Sequence, residues 1–143
     1  LRAQQAQLQI DADFVGGDSN DNPDFYKLAG ASAEGSVLIN FPTPEILPYP
    51  KAKKYLAAYK TKFQMDPPSI WSVTNADGLR AVIEGIEKTN SFDTKKISDY
   101  IRTMKDFPGI TGPFNIREDG ERVGAKFVVY KMKNDGTKDV VSE

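Results

Sequence analysis

Apolar positions recur along this chain with two different periods, and the change of period marks the elements. From Ala76 to Thr89, the residues Leu79, Val82, Ile83 and Ile86 fall on one face of a helix, while Arg80, Glu84, Glu87 and Lys88 lie outside that stripe. Lys51 to Gln64 carries Tyr55, Tyr59 and Phe63 at i, i+4 and i+8, with Leu56 beside them. That spacing predicts a helix with an aromatic face turned inward and a lysine-rich face (Lys51, Lys53, Lys54, Lys60, Lys62) turned to water. A further helix is predicted behind an Asp93 or Thr94 cap, with Ile97, Ile101 and Met104 inward. Leu1 to Gln9 reads as the tail of an amphipathic helix. Strands are predicted at Asp13–Gly16, at Gly35–Phe41, at Phe114–Arg117, at Ala125–Lys133 and at Thr137–Val141, with a short strand at Ser69–Val73.

Glycine, proline and short polar residues set the boundaries. Asn22-Pro23-Asp24 starts a helix, with an amide cap, proline at the first helical position and an acid in the first turn. Phe25 and Leu28 are expected to face inward there, and Gly30 to stop the helix. Residues 42–50 (PTPEILPYP) hold four prolines and form a connection where the chain passes between lobes. Asp66-Pro67-Pro68 ends one helix, and Pro108-Gly109 ends the region after Met104. Glu118-Asp119-Gly120 and Asn134-Asp135-Gly136 are turns, the second a hairpin. Helices alternate with strands until closing β-hairpins, which makes an α/β chain.

Composition narrows the chemistry. With 143 residues the chain is long enough for a real core. The balance of 19 basic against 20 acidic residues argues against nucleic acid as a partner, because neutralising phosphates needs a basic excess. No apolar run approaches the length of a membrane span. Cysteine and histidine are both absent, which excludes thiol nucleophiles, disulfides, Ser-His-Asp triads and Cys/His zinc sites. An enzyme on this chain would need paired acids or a Ser-Lys arrangement, and nothing shows that spacing. GxGxxG and GxxxxGK[ST] are missing, so no nucleotide cofactor is expected. The oxygen-rich run DSNDNPD (18–24) departs from a calcium loop, since Pro23 and Ala29 stand where a glycine and an acid are required. No catalytic, cofactor or metal residues are therefore assigned. The opening LRAQQAQLQ is not a signal peptide, and the chain reads as a piece of a longer protein.

The candidate binding chemistry lies in DFVGGDSN (13–20). A short strand runs into Gly16 and Gly17, which permit a sharp turn and close approach of a ligand. Ligands of open α/β sheets sit just beyond the carboxyl ends of strands. Asp18 stands at that point, and a carboxylate suits a cationic group such as an amine. It equally suits a cap for the following helix or a fastener of the turn. Trp71, the single tryptophan, sits between a Pro-Pro break and a helix start. By itself it reads as a core or interface aromatic.

Several segments together resemble the periplasmic solute-binding proteins of ABC importers, in the group that binds branched-chain amino acids. They are FVGGDSND (14–21), AGASAEGSVL (29–38), NADGLRAVIEGIEKT (75–89), FPGITGPFNIREDGERV (107–123) and AKFVVYKMKNDGT (125–137). The resemblance implies a fragment of a two-lobed type I periplasmic binding fold. Residues 1–41 and 125–143 would belong to the second lobe, and residues 42–124 to the first. It implies an extracytoplasmic chain that captures a small amino acid or related amide and serves membrane subunits of an importer, or a sensor built on the same fold. Asp18 would accept the ligand's α-ammonium group, Gly17 and Ser19 would flank it, and Trp71 would lie against the ligand side chain. Ala76 departs from the family pattern, which often has an aromatic there, while Asp77 is retained. A partial lobe leaves strand edges and apolar helix faces uncovered, so the fragment is expected to self-associate.

Overall fold

The computed structural model describes residues 1–142, and the chain divides into two compact units: Leu1–Pro42 together with the chain from Lys126 on, and Thr43–Ala125. The first unit is built on a four-stranded sheet ordered β1-β2-β6-β7, where β1 is Val15–Gly16, β2 Val37–Asn40, β6 Val128–Met132 and β7 Lys138–Ser142. β1 runs parallel to β2, with Val15 opposite Val37. β6 lies antiparallel to both β2 and β7, with an irregularity in the β7 register between Val129 and Tyr130. Because side chains alternate along a strand, Leu38 of β2 and Val128, Tyr130 and Met132 of β6 share one face and are buried there. Phe25 and Tyr26 of helix α2 (Pro23–Ala29) pack onto that face.

α2 starts as its sequence predicts. The Asn22 side chain accepts a hydrogen bond from the Phe25 N–H at 3.1 Å, and Pro23 takes the first helical position. Helix α1 (Arg2–Gln7) precedes β1. The β6–β7 turn Asn134-Asp135-Gly136 depends on its glycine. Gly136 has φ +81°, and a Cβ there would meet the Tyr26 ring at 2.7 Å. The Tyr26 hydroxyl donates to the Asn134 carbonyl at 2.6 Å in the same turn. Leu28, expected inward, is 81% exposed. α2 has only seven residues, and Phe25 and Tyr26 already occupy its sheet-facing side.

The second unit begins with a one-turn 3-10 helix at Pro44–Ile46, followed by α3 (Pro50–Phe63), α4 (Ile70–Thr89) and α5 (Thr94–Thr103). It ends in a three-stranded antiparallel sheet of β3 (Phe107–Gly109), β4 (Gly112–Ile116) and β5 (Arg122–Val123). Its core joins Ala81 of α4 to Met104, Phe107 and Phe114, with Tyr100, Ile101 and Ile116 packed around them. Asp93 caps α5 by accepting from the Lys95 and Lys96 N–H groups at 2.8 and 3.0 Å. Gly85 lets α5 approach α4, since a Cβ there would lie 2.9 Å from Ile97 Cγ2.

Three expectations are corrected here. Ser69–Val73 is not a strand: Ser69 precedes the first residue of α4, whose buried positions Ile70, Val73, Asp77, Ala81 and Gly85 follow helical spacing from the start. Phe107–Gly109 is a strand, held by pairing of Phe107 with Phe114 across the hairpin despite its Pro-Gly. The stripe read from Leu79, Val82, Ile83 and Ile86 has the right period, but its first three residues face outward, with exposures of 62%, 39% and 45%, and Ile86 is half-buried. α4 carries two apolar faces, and among the described residues the small-residue face packs inside. On α3, Tyr55 and Tyr59 are half-buried and Phe63 is exposed, the three rings forming a ladder with centroids 5.9 and 4.5 Å apart.

Candidate functional site

In the first unit, β1 ends at Gly16 and the chain turns through a single 3-10 turn, Asp18–Asn20. Gly16 is buried, and a Cβ on it would lie 2.8 Å from Asn20 Oδ1, so the amide of Asn20 occupies the space a side chain would need. Gly17 has extended backbone and open space around its Cα. The turn closes on itself through Asn20 N–H to the Gly17 carbonyl and Asp21 N–H to the Asp18 carbonyl, each 3.0 Å. The Asn22 amide donates to the Ser19 carbonyl at 2.6 Å.

Two acids on this turn live in different surroundings. Asp21 is nearly buried. Its carboxylate pairs with the ammonium of Lys138 on β7 and accepts from the Asn40 amide at 2.8 Å. Lys138 Nζ also sits 4.1 Å from the centroid of the Tyr130 ring, and Asn40 in turn accepts from the Phe41 N–H at 2.7 Å. Asp18 is exposed, and among the described residues its carboxylate accepts no hydrogen bond and forms no ion pair. The two structural jobs open to Asp18 in the sequence are done by others: Asn22 caps α2, and Asp21 ties the turn to the sheet. Gly17, Asp18 and Ser19 are thus contiguous on one exposed turn. Beside it, a groove of about 560 Å³ is lined by Phe14, Phe25, Leu28, Asn20 and Asp24, not by Asp18.

Trp71 belongs to the second unit, in the first turn of α4, and is 41% exposed on the same apolar helix with Leu79, Val82 and Ile83. The dominant polar feature of that unit is Asp77, 1% exposed in the middle of α4. Its carboxylate accepts from the Ile110 N–H at 2.6 Å, the Thr111 N–H at 3.0 Å and the Thr111 hydroxyl at 2.7 Å. Arg80 lies at 3.4 Å from it, and Arg122 donates to the Thr111 hydroxyl at 2.6 Å while stacking over Phe114. Burial of that guanidinium pushes the Arg122 pKa down from its ordinary value. Asp77 therefore fastens the β3–β4 turn to α4. Gly109 and Gly112 make the turn possible: a Cβ on Gly109 would meet the Gly112 carbonyl at 2.6 Å, and Gly112 has φ +101° against the Tyr49 ring. Neither the fastening role of Asp77 nor the Asp21–Lys138 pair is evident from the sequence, because each joins segments far apart in the chain.

Among the described residues no group of three or more acids could hold a metal ion, and no helix is long and apolar enough to cross a membrane. A family model described as periplasmic binding protein matches residues 2–137. No curated protein matches the chain significantly. Among solved structures, a leucine binding protein, LivK, from Thermotoga maritima is 30% identical, with TM-score 0.84, over 99% of this chain and 39% of its own. A substrate-binding protein of an ABC transporter from Desulfitobacterium hafniense, in complex with Leu, is 20% identical (TM-score 0.69, 98% of this chain and 38% of that one). A solute binding protein from R. palustris in complex with benzoate is 13% identical (TM-score 0.72, 99% and 38%). The chain therefore spans about 39% of the length of the leucine binding protein it matches.

Proposed function

We infer the function from one premise: the chain belongs to the periplasmic binding protein family. On that premise we propose that it is the C-terminal portion of the solute-binding component of an ABC importer, working outside the cytoplasm. Its solute is a small amino acid or a related amide. Asp18 accepts the ammonium group, Gly17 and Ser19 flank it, and Trp71 lies against the ligand side chain. Residues outside this chain hold the carboxylate end. Residues 1–41 and 125–143 belong to the second lobe and 42–124 to the first. The protein makes and breaks no bond; it captures, closes by a hinge motion and delivers to the membrane subunits.

The observation that carries this reading is the unpaired Asp18 carboxylate at the end of a parallel strand, with the capping and fastening roles taken by Asn22 and Asp21. The leucine-binding relatives supply the ligand class, while the benzoate-bound neighbour shows that the fold also serves an acid with no ammonium group. The test is calorimetric titration of the full-length protein with leucine, isoleucine, valine, polar amino acids, small amides and benzoate. Asp18→Asn is expected to weaken amino acid binding roughly 10- to 150-fold, the worth of a hydrogen bond to a charged group. An unchanged affinity in that variant, or binding of benzoate alone, would refute the assignment.

The isolated chain is proposed to self-associate through the outward face of α4, where Leu79, Val82 and Ile83 are exposed in sequence with Trp71. Sedimentation analysis is expected to show a concentration-dependent dimer that Leu79→Lys with Ile83→Lys abolishes. A monomer at every concentration would end that proposal.

A further inference from the structure

Asp18 opens a 3-10 turn, Asp18–Asn20, and Asp21 caps its C-terminal end three residues on. The chain then treats the two charges oppositely. Asp21 has 9% of its side chain exposed and is paired by Lys138, which reaches it from β7 across 117 positions of sequence. The same ammonium rests on the Tyr130 ring, and the Asn40 amide fills a further acceptor site of Asp21. The binding role of the turn does not use this buried triad, and a helix cap does not need it either, because Asn22 supplies the cap.

We propose that Lys138 sets the charge specificity of the turn. By cancelling Asp21 it leaves Asp18 as the one uncompensated carboxylate of the Asp18–Asp21 segment, and so matches the turn to a ligand with a single ammonium group. This rests on the reading of Asp18 as the ammonium acceptor. Lys138 and Asp21 act through Asp18 and are positioning residues that do not touch the ligand. Removing Lys138 exposes a second negative charge to the ligand; removing Asp21 leaves a positive one. The two changes therefore push ammonium binding in opposite directions. A scaffold held together by the pair would respond to both in the same direction.

The experiment is calorimetry on the full-length protein with L-leucine and with 2-hydroxy-4-methylpentanoate, which replaces the ammonium by a hydroxyl. The ratio of the two affinities removes any general loss of fold. Lys138→Met is expected to raise the leucine preference roughly three- to tenfold, and Asp21→Asn to lower it by a similar factor, the order of effect of one unpaired charge near a protein surface. Lys138→Arg and the double variant Asp21→Asn with Lys138→Met are expected to restore the wild-type ratio. A ratio that moves the same way in both single variants, or in neither, overturns the proposal while Asp18→Asn still weakens leucine binding. If Asp18→Asn leaves leucine binding intact, or folded protein binds no leucine, the reading of Asp18 itself fails and takes the proposal with it.

Discussion

Replacing Asp77 by alanine is expected to cost the second unit about 4 kcal/mol of stability. The carboxylate is 1% exposed and receives the Ile110 and Thr111 N–H groups and the Thr111 hydroxyl. Alanine strands all three donors. The hydroxyl can rotate to another partner, but the two backbone donors are fixed by the β3–β4 turn. Each buried donor left without a partner costs about 1–3 kcal/mol, so the pair costs about 2–6 kcal/mol. Relaxation is restricted on the turn side, where the fit is close enough that a Cβ on Gly109 would lie 2.8 Å from Asp77 Oδ2. Urea unfolding followed by Trp71 fluorescence reads this directly, since the chain has a single tryptophan and it lies on α4 six residues before Asp77. With a slope of about 1.5 kcal/mol per molar urea, the midpoint should fall by roughly 2–3 M. Thr111→Val removes only the hydroxyl contacts to Asp77 and Arg122 and is expected to cost about 1–2 kcal/mol. An Asp77→Ala midpoint within about 0.5 M of wild type would refute the argument that this carboxylate holds the turn.

The two glycines inside α4 should respond with opposite sign. Gly78→Ala adds a Cβ with nothing within 4 Å and should stabilise by about 0.5–1 kcal/mol in the same urea assay. Gly85→Ala places its Cβ 2.9 Å from the stiff Ile97 side chain and should destabilise by about 1–3 kcal/mol, with loss of α5 amide protection in hydrogen exchange. The β6–β7 hairpin should weaken in acid. The Thr137 hydroxyl and N–H donate to Asp135 and hold its carboxyl below the ordinary value near 4. A carboxyl depressed in the folded state contributes stability above its unfolded pKa and loses it as pH falls through the folded one. Exchange protection of the Thr137 amide should therefore decline below about pH 4. Asp135→Asn, which keeps an acceptor but cannot titrate, should remove that pH dependence.

Legibility in the sequence follows the range of the interaction that decides each feature. Asn22-Pro23-Asp24 and Asn134-Asp135-Gly136 announce a helix start and a hairpin because the deciding bonds lie within three residues, and both stand where expected. α4 is only half legible. Its period is plain, but a helix with Ile70, Val73 and Ala81 on one side and Leu79, Val82 and Ile83 on another offers two faces to a core. The choice between them is made by α5 and the β3–β4 strands, which no local pattern contains. The same division runs through the candidate site. The turn at Gly16–Asn20 is visible from its glycines, and the acid beyond it is visible as an acid. What separates Asp18 from Asp21 is not visible, because Asn40 and Lys138 lie 19 and 117 residues from Asp21. Two acids of equal propensity in one short run become a buried clamp and an exposed charge through partners that only the sheet brings to the turn. The charge that the turn presents is therefore a property of β2 and β7 as much as of the turn that carries the acid.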